Sequence, residues 1–108
     1  MIIDSHAHFI PPSLLAAIQD RAGEFASLSL IHDESGSFGF SFAGSKPTRP
    51  ASKMLSDTKG RLEWMDANQI DRQVIGGWLD MFGYEMPVED GIKWSQLINK
   101  HLQTFTAA

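Results

Sequence analysis

The spacing of the apolar residues constrains the fold more than any other feature, because it changes from one segment to the next. Met1–Asp4 is a short apolar stretch that predicts a buried strand, ending where the sequence turns polar. Leu14 and Ile18 then lie one helical turn apart. Pro12 suits the first turn of a helix, where a missing N–H costs nothing. We therefore expect a helix over residues 12–22.

The next segment alternates apolar and small or polar residues, with turn-forming residues in the middle. Alternation on both sides of a loop that contains glycine predicts a β-hairpin with one apolar face. We expect this hairpin at about residues 27–43, as an insertion into the strand and helix order, followed by a loop at residues 44–52. The alternating apolar residues are Leu28, Leu30, Phe38, Phe40 and Phe42.

A second helix is predicted after this loop, with Ser56 or Asp57 as its cap and its end near Asn68. Asp57 and Arg61 stand four positions apart, a spacing at which opposite charges attract on a helix surface. The apolar residues expected on one face of this helix are Leu62 and Met65.

Two further segments complete the order of elements. Arg72–Leu79 holds an apolar run between polar residues, which predicts a second buried strand. Val88–Phe105 carries apolar residues at intervals of three and four, with Glu89 and Asp90 in the first turn, where the helix dipole favours acidic residues. Strands that alternate with helices predict an α/β fold with parallel strands.

Charge and composition narrow the class of protein. The formal net charge is −4 and the Lys and Arg residues are not clustered, which argues against a nucleic-acid or anionic-membrane surface. The chain has no cysteine, so disulfides and thiolate metal sites are excluded. The beginning lacks the pattern of a signal peptide, and no stretch approaches the ~18 apolar residues of a membrane span. We expect a cytoplasmic protein.

The residues with the clearest chemical meaning are His6 and His8. In a strand, residues two apart point to the same face, so their imidazoles can converge on one metal ion. At the end of a buried strand they would lie at the carboxyl-terminal edge of a parallel sheet, where α/β enzymes place their sites. Spacing alone also fits two partly exposed loop histidines that bind nothing, which is the commoner situation.

The sequence Ile2–Pro11 closely resembles the first strand of the amidohydrolase superfamily, particularly the branch that contains aminocarboxymuconate-semialdehyde decarboxylase. Members of that branch begin with an apolar strand, Asp-x-His-x-His, one or two apolar residues and a proline. Three later segments are similar to the same branch, namely the helix and strand of Asp57–Val74, the loop Trp78–Tyr84 and the helical segment Leu97–Leu102.

The resemblance implies the N-terminal portion of a (β/α)8 TIM barrel, about two strand–helix units plus the hairpin. It implies a divalent metal, zinc first of all, bound by His6 and His8 together with a His and an Asp from later strands. Such an ion activates a bound water. The substrate would be a small unsaturated or aromatic carboxylate that loses carbon dioxide without an oxidant. A metal-dependent hydrolase or hydratase of a ring-cleavage product stays open as the alternative.

Four more residues are candidates for the site. Through the resemblance, Arg49 would bind the substrate carboxylate, because a planar bidentate donor matches that group. A solvated loop charge is the other interpretation of Arg49. Trp78 and Phe82 would line the substrate pocket, although aromatic residues after a buried strand more often belong to the core. Asp4 shares strand parity with the histidines and would orient an imidazole, or else cap the strand end.

The length of the chain bears on all of these expectations. A (β/α)8 barrel typically needs about 250 residues, so we expect this segment to lack the remaining ligands and to be inactive alone. Its partners would be the remainder of the barrel or a second copy of the chain. A non-catalytic segment that only self-associates is the alternative from a different class. His32 and His101 fit no ligand position and are expected to have surface or packing roles.

Overall fold

The computed structural model describes residues 1–107, which form a mixed α/β fold with two small sheets and three α-helices. Short 3-10 segments follow the first helix, precede the second and follow the last strand. The elements in chain order are β1 (Ile3–His8), α1 (Pro12–Arg21), β2 (Leu28–His32), β3 (Phe38–Phe42), α2 (Thr58–Ala67), β4 (Arg72–Gly76) and α3 (Val88–Thr106).

The first sheet joins β1 and β4 in parallel, with Ile3 opposite Arg72 and His8 opposite Gly76. β1 is longer than the sequence predicted, because its pairing with β4 continues through the histidines. The register shifts between Asp4 and Ala7, where β1 has one residue more than β4. This β-bulge lies directly beside the two histidines.

The expected burial of both strands of this sheet is wrong. Ile3 is 54% exposed and Val74 is 57% exposed, and no residue of β1 or β4 is fully buried. An apolar run predicts a buried strand only when other elements cover both faces of the sheet. In residues 1–107 this sheet has two strands, and the face that carries Val74 remains open.

The hydrophobic core instead lies under the hairpin of β2 and β3, which pair antiparallel. Trp94 of α3 is fully buried at its centre, with ring centroids 5.4 Å from Phe25, 5.8 Å from Phe40 and 5.9 Å from Phe42. The indole Nε1 donates to the carbonyl of Met81 at 2.6 Å, so the polar atom of this side chain is satisfied. The hairpin, expected as an insertion, therefore supplies much of the core.

The helix α2 begins as the sequence predicted, since the side chain of Asp57 accepts a hydrogen bond from the Gly60 N–H at 2.9 Å. The expected ion pair between Asp57 and Arg61 is absent from the ion pairs of residues 1–107. Arg61 reaches towards the sheet of β1 and β4 instead. Leu62 is 55% exposed and Met65 is half-buried, so the expected apolar face of α2 is largely uncovered.

Packing is consequently uneven between the two sides of the molecule. α1, α3 and the hairpin enclose the core, whereas β1, β4 and α2 carry exposed apolar side chains. No helix of residues 1–107 is both long enough and apolar enough to cross a membrane. The exposed apolar residues of this second group of elements are Ile3, Leu62, Trp64 and Val74.

We predict that the 108-residue chain associates into dimers or larger assemblies at micromolar concentration. The outer edges of β1 and β4 present unpaired backbone groups, and exposed apolar surface beside them favours association. Sedimentation velocity measures this directly. Val74→Lys should shift the distribution towards the monomer, because a lysine beside an open edge opposes pairing. The matched control Val88→Lys, at an exposed position on α3, should leave it unchanged. A monomeric wild-type chain would contradict the prediction.

Candidate metal centre

His6 and His8 lie side by side on β1, with ring centroids 4.8 Å apart and ring planes at 87°. Zinc binds imidazole nitrogen at about 2.0–2.1 Å, so two rings at this separation are close enough to hold one ion between them. His6 is exposed and His8 is partly buried, which leaves the pair open to solvent on one side.

The ring of His8 has a defined hydrogen bond to the backbone. Its Nδ1 lies 3.0 Å from the carbonyl oxygen of Gly77, in the segment that follows β4. Because a carbonyl can only accept, Nδ1 must carry the proton, and in the neutral ring Nε2 then keeps its lone pair. A histidine that donates one ring N–H to a carbonyl is oriented to bind a metal through the other nitrogen.

Gly77 has little room for a side chain. A Cβ built there would lie 3.0 Å from Cε1 of Phe82 and 3.6 Å from Cε of Met81. The carbonyl that orients His8 therefore belongs to a packed segment.

Asp4 lies beside the histidine pair, but its carboxylate bonds the backbone of His6 and not a ring. One carboxylate oxygen accepts from the His6 N–H at 3.2 Å, and the other accepts from Nε2 of Gln73 at 2.8 Å. Among residues 1–107, no hydrogen bond joins Asp4 to an imidazole. The hydrogen bond from Gln73, the one from His6 N–H and the nearby imidazole of His6 lower the pKa of Asp4 below its usual value. Asp4 is therefore a carboxylate at neutral pH.

Arg61 was not a site candidate from the sequence, yet it contacts the same strand. Its guanidinium donates to Oε1 of Gln73 and to the carbonyl oxygen of His8, each at 2.7 Å, and lies 4.9 Å from the ring centroid of Phe9. Burial lowers the pKa of Arg61, and the charge of Asp4 opposes that effect. A signal was present in the sequence. Asp57 was predicted to cap α2, and a carboxylate that accepts from the helix backbone leaves Arg61 to bond another acceptor.

Two clefts open beside His8 and share Arg61 as a lining residue. One, of about 490 Å³, is also lined by Trp64 and Gln73. The other, of about 450 Å³, is lined by Arg49 and Trp78. Met54 and Leu55 contribute apolar walls to both.

The predicted substrate residues are only partly brought together. Arg49 pairs with Asp80 at 2.8 Å and lies 6.0 Å from the ring centroid of Trp78, at a cleft that His8 also lines. Trp78 is 5% exposed and also packs against the core ring of Phe40. Phe82 does not line either cleft of His8 and instead lines a separate cleft with Tyr84.

The two other histidines lie elsewhere in the fold. His32 is exposed at the end of β2, with its ring centroid 5.9 Å from that of Phe38. His101 of α3 is hydrogen-bonded through Nδ1 to the hydroxyl of Ser13 at 2.8 Å, and burial lowers its pKa. Within residues 1–107, no group of three or more His, Asp or Glu residues could hold a metal ion. His6 and His8 are therefore a pair of adjacent imidazoles without a third His, Asp or Glu ligand within residues 1–107.

No known protein family matches this sequence, and no curated protein matches it. Function must therefore be inferred from the histidine pair and the side chains around it. What the arrangement offers chemically is two adjacent imidazoles, one with a fixed tautomer, beside clefts that carry guanidinium groups and apolar walls.

We predict that His8 is in the Nδ1–H tautomer in the metal-free protein at a pH where its ring is neutral. The carbonyl of Gly77 requires that tautomer, whereas the exposed His32 should show the mixture typical of a solvated ring. The ¹⁵N chemical shifts of the two rings measure this. Gly77→Ala should loosen the preference of His8, because the added methyl group displaces Phe82 or the peptide. An Nε2–H tautomer at His8 would refute the arrangement.

Proposed function

We propose that this chain forms the metal-binding opening of an amidohydrolase-type (β/α)8-barrel enzyme that decarboxylates a small unsaturated or aromatic carboxylate. The observation that carries the proposal is the pair of adjacent imidazoles, with Nδ1 of His8 committed to Gly77 and Nε2 left free. The resemblance of Ile2–Pro11 to the first strand of that superfamily supports the same assignment.

The donor set suits a borderline divalent cation such as zinc, which imidazole nitrogen binds well. Catalytic zinc sites usually have three protein ligands and an open position. His6 and His8 would be two of these ligands, and the remaining ones would come from later strands. When bound, the ion would act as a Lewis acid and lower the pKa of bound water.

The parallel pairing of β1 with β4 supports the proposed barrel. Parallel strands joined through helices are the repeating unit of such a barrel, and in it each strand has a neighbour on both sides. The open edges and the exposed Ile3 and Val74 are what such neighbours would cover. His6 and His8 lie at the carboxyl-terminal end of β1, the end at which barrel enzymes place their sites.

The cleft beside His8 and Arg49 favours a carboxylate substrate with a flat apolar body. Arg49 is largely exposed and within residues 1–107 has a single ion pair, with Asp80, so further N–H donors can bind a carboxylate. Trp78, Met54 and Leu55 would contact the apolar part and exclude water. In the proposed reaction the carboxylate leaves as carbon dioxide, and the electron pair of the broken bond stays on the substrate until a proton replaces it. An unsaturated or aromatic substrate delocalises that pair.

We predict that the protein binds a divalent metal through His6 and His8. Titration with Co²⁺, followed by its visible absorption, should show binding that His6→Ala and His8→Ala each weaken by at least about tenfold, because each removes a direct ligand. His32→Ala is the matched control and should bind as the wild type does. The same two variants should lose nearly all activity of the complete enzyme. Equal losses in all three variants would refute the ligand assignment, and no metal binding by the wild type would favour the non-catalytic alternative.

We also predict that Arg49→Ala raises KM for a carboxylate substrate of the complete enzyme by about tenfold with little change in kcat. This is the expected result when a contact that binds ground state and transition state equally is removed. Asp80→Asn is the control, because it breaks the same ion pair while keeping the guanidinium. An unchanged KM in Arg49→Ala would remove Arg49 from the site. Substrate loss without release of carbon dioxide would favour the hydrolase or hydratase instead.

A further inference from the structure

The hydrogen bonds around the β1 bulge converge on one side chain of α2. We infer that Arg61 is a positioning residue that holds His6 and His8 in the orientation needed to share one metal ion. It acts through the backbone of β1 on one side and through Gln73 and Asp4 on the other, a set of residues that we call the Arg61 network. The inference rests on the proposed function of the histidine pair.

The first contact of the network holds the peptide of His8. The guanidinium of Arg61 donates to the His8 carbonyl oxygen at 2.7 Å, while the ring of His8 lies 3.0 Å from the carbonyl of Gly77. The backbone of His8 is held from α2 and its imidazole from the segment after β4, and the ring contact depends on the position of that backbone. A hydrogen bond from a charged donor is stronger than a neutral one, which suits a contact that fixes a main-chain position.

The second contact leads to His6. Arg61 donates to Oε1 of Gln73 at 2.7 Å, Nε2 of Gln73 donates to Asp4 at 2.8 Å, and Asp4 accepts from the His6 N–H at 3.2 Å. The guanidinium can only donate and the carboxylate can only accept, so the amide of Gln73 fits between them in one orientation. The network therefore has a defined direction, from α2 through β4 to His6.

The bulge explains why β1 needs this support. An extra residue in a strand leaves the ladder locally unpaired and re-aims the side chains beside it. The register shift lies between Asp4 and Ala7, so His6 is within it. The His6 N–H donates to the side chain of Asp4, and His8 follows the shift. The Arg61 network thus bonds β1 at Asp4, before the register shift, and at His8, after it.

Packing alone does not account for an arginine at position 61. The guanidinium of Arg61 lies over the ring of Phe9, and its Nε is buried without a partner within residues 1–107, which costs free energy. A side chain present only for packing would avoid that cost, and methionine has a similar stem with no buried donor. The two acceptors that Arg61 does serve are the His8 backbone and the amide that leads to His6.

The test begins with Arg61→Met, which keeps the stem and removes the donors. We expect its Co²⁺ affinity to fall by about 10- to 100-fold, as is usual when groups that orient metal ligands are lost. Arg61→Lys should recover part of the affinity, because an ammonium group can reach one of the two acceptors but cannot match the planar fork. Lys59→Met is the matched control and should bind as the wild type does. Lys59 is an exposed cation on the same helix that, among the described residues, pairs only with Glu63.

Gln73→Glu separates the two branches of the network and covers the case in which Arg61→Met does not fold. A glutamate still accepts from Arg61 but loses the donor to Asp4 and repels it. We expect Gln73→Glu to weaken Co²⁺ binding and to preserve the Nδ1–H tautomer of His8. Arg61→Met should weaken Co²⁺ binding and also lose the preference for that tautomer. Thermal unfolding of each variant identifies any loss of fold.

Wild-type affinity in a folded Arg61→Met, or in a folded Gln73→Glu, would overturn the inference. The ¹⁵N measurement on metal-free protein keeps this result separate from the proposed function. If the wild type binds no metal, the proposed function fails, and an Arg61→Met protein with an unchanged His8 tautomer would then refute the positioning role by itself.

Discussion

The packing around Trp94 is the interaction on which the rest of this structure depends. The indole joins α3 to the hairpin through ring contacts, and its Nε1 bonds the carbonyl of Met81. That bond ties the segment after β4 into the core. Gly77 lies in this segment, packed against Phe82, and its carbonyl orients His8. The same segment therefore carries both the acceptor of the buried indole and the carbonyl that the partly exposed ring of His8 bonds.

The candidate metal centre lies at the border between a dense and an open part of the molecule. The core fixes the segment that contains Gly77, whereas β1 and β4 are covered on one face at most. Because few apolar contacts stabilise β1 and β4, hydrogen bonds must stabilise their positions. Hydrogen bonds to ionised groups are directional and stronger than neutral ones. The Arg61 network supplies them where packing is thin.

Charged side chains of both signs lie near the histidine pair. Asp4 and the imidazoles place a carboxylate and ring nitrogens along β1, while Arg49 and Arg61 line the clefts beside His8. The carboxylate of Asp4 is used within the protein, since Gln73 and the His6 N–H occupy its oxygens. The side chain of Arg49 is more exposed than that of Arg61 and has one carboxylate partner, Asp80, in the part of the chain that the structure describes. Arg49, proposed to bind the substrate, therefore lines the same cleft as His8, proposed as a metal ligand.

The sequence by itself determined the order of the elements, the hairpin, the capping role of Asp57 and the spacing of His6 and His8, because each of these depends on local backbone geometry. It also indicated that β1 and β4 are parallel. Only the tertiary structure decided that the sheet is exposed, that the core forms under the hairpin, and that Arg61 serves His8 rather than Asp57. Periodicity records which side of an element is apolar, but not what covers it. The partner of a long charged side chain is set by whichever acceptor the fold brings within reach, and that acceptor is distant in sequence.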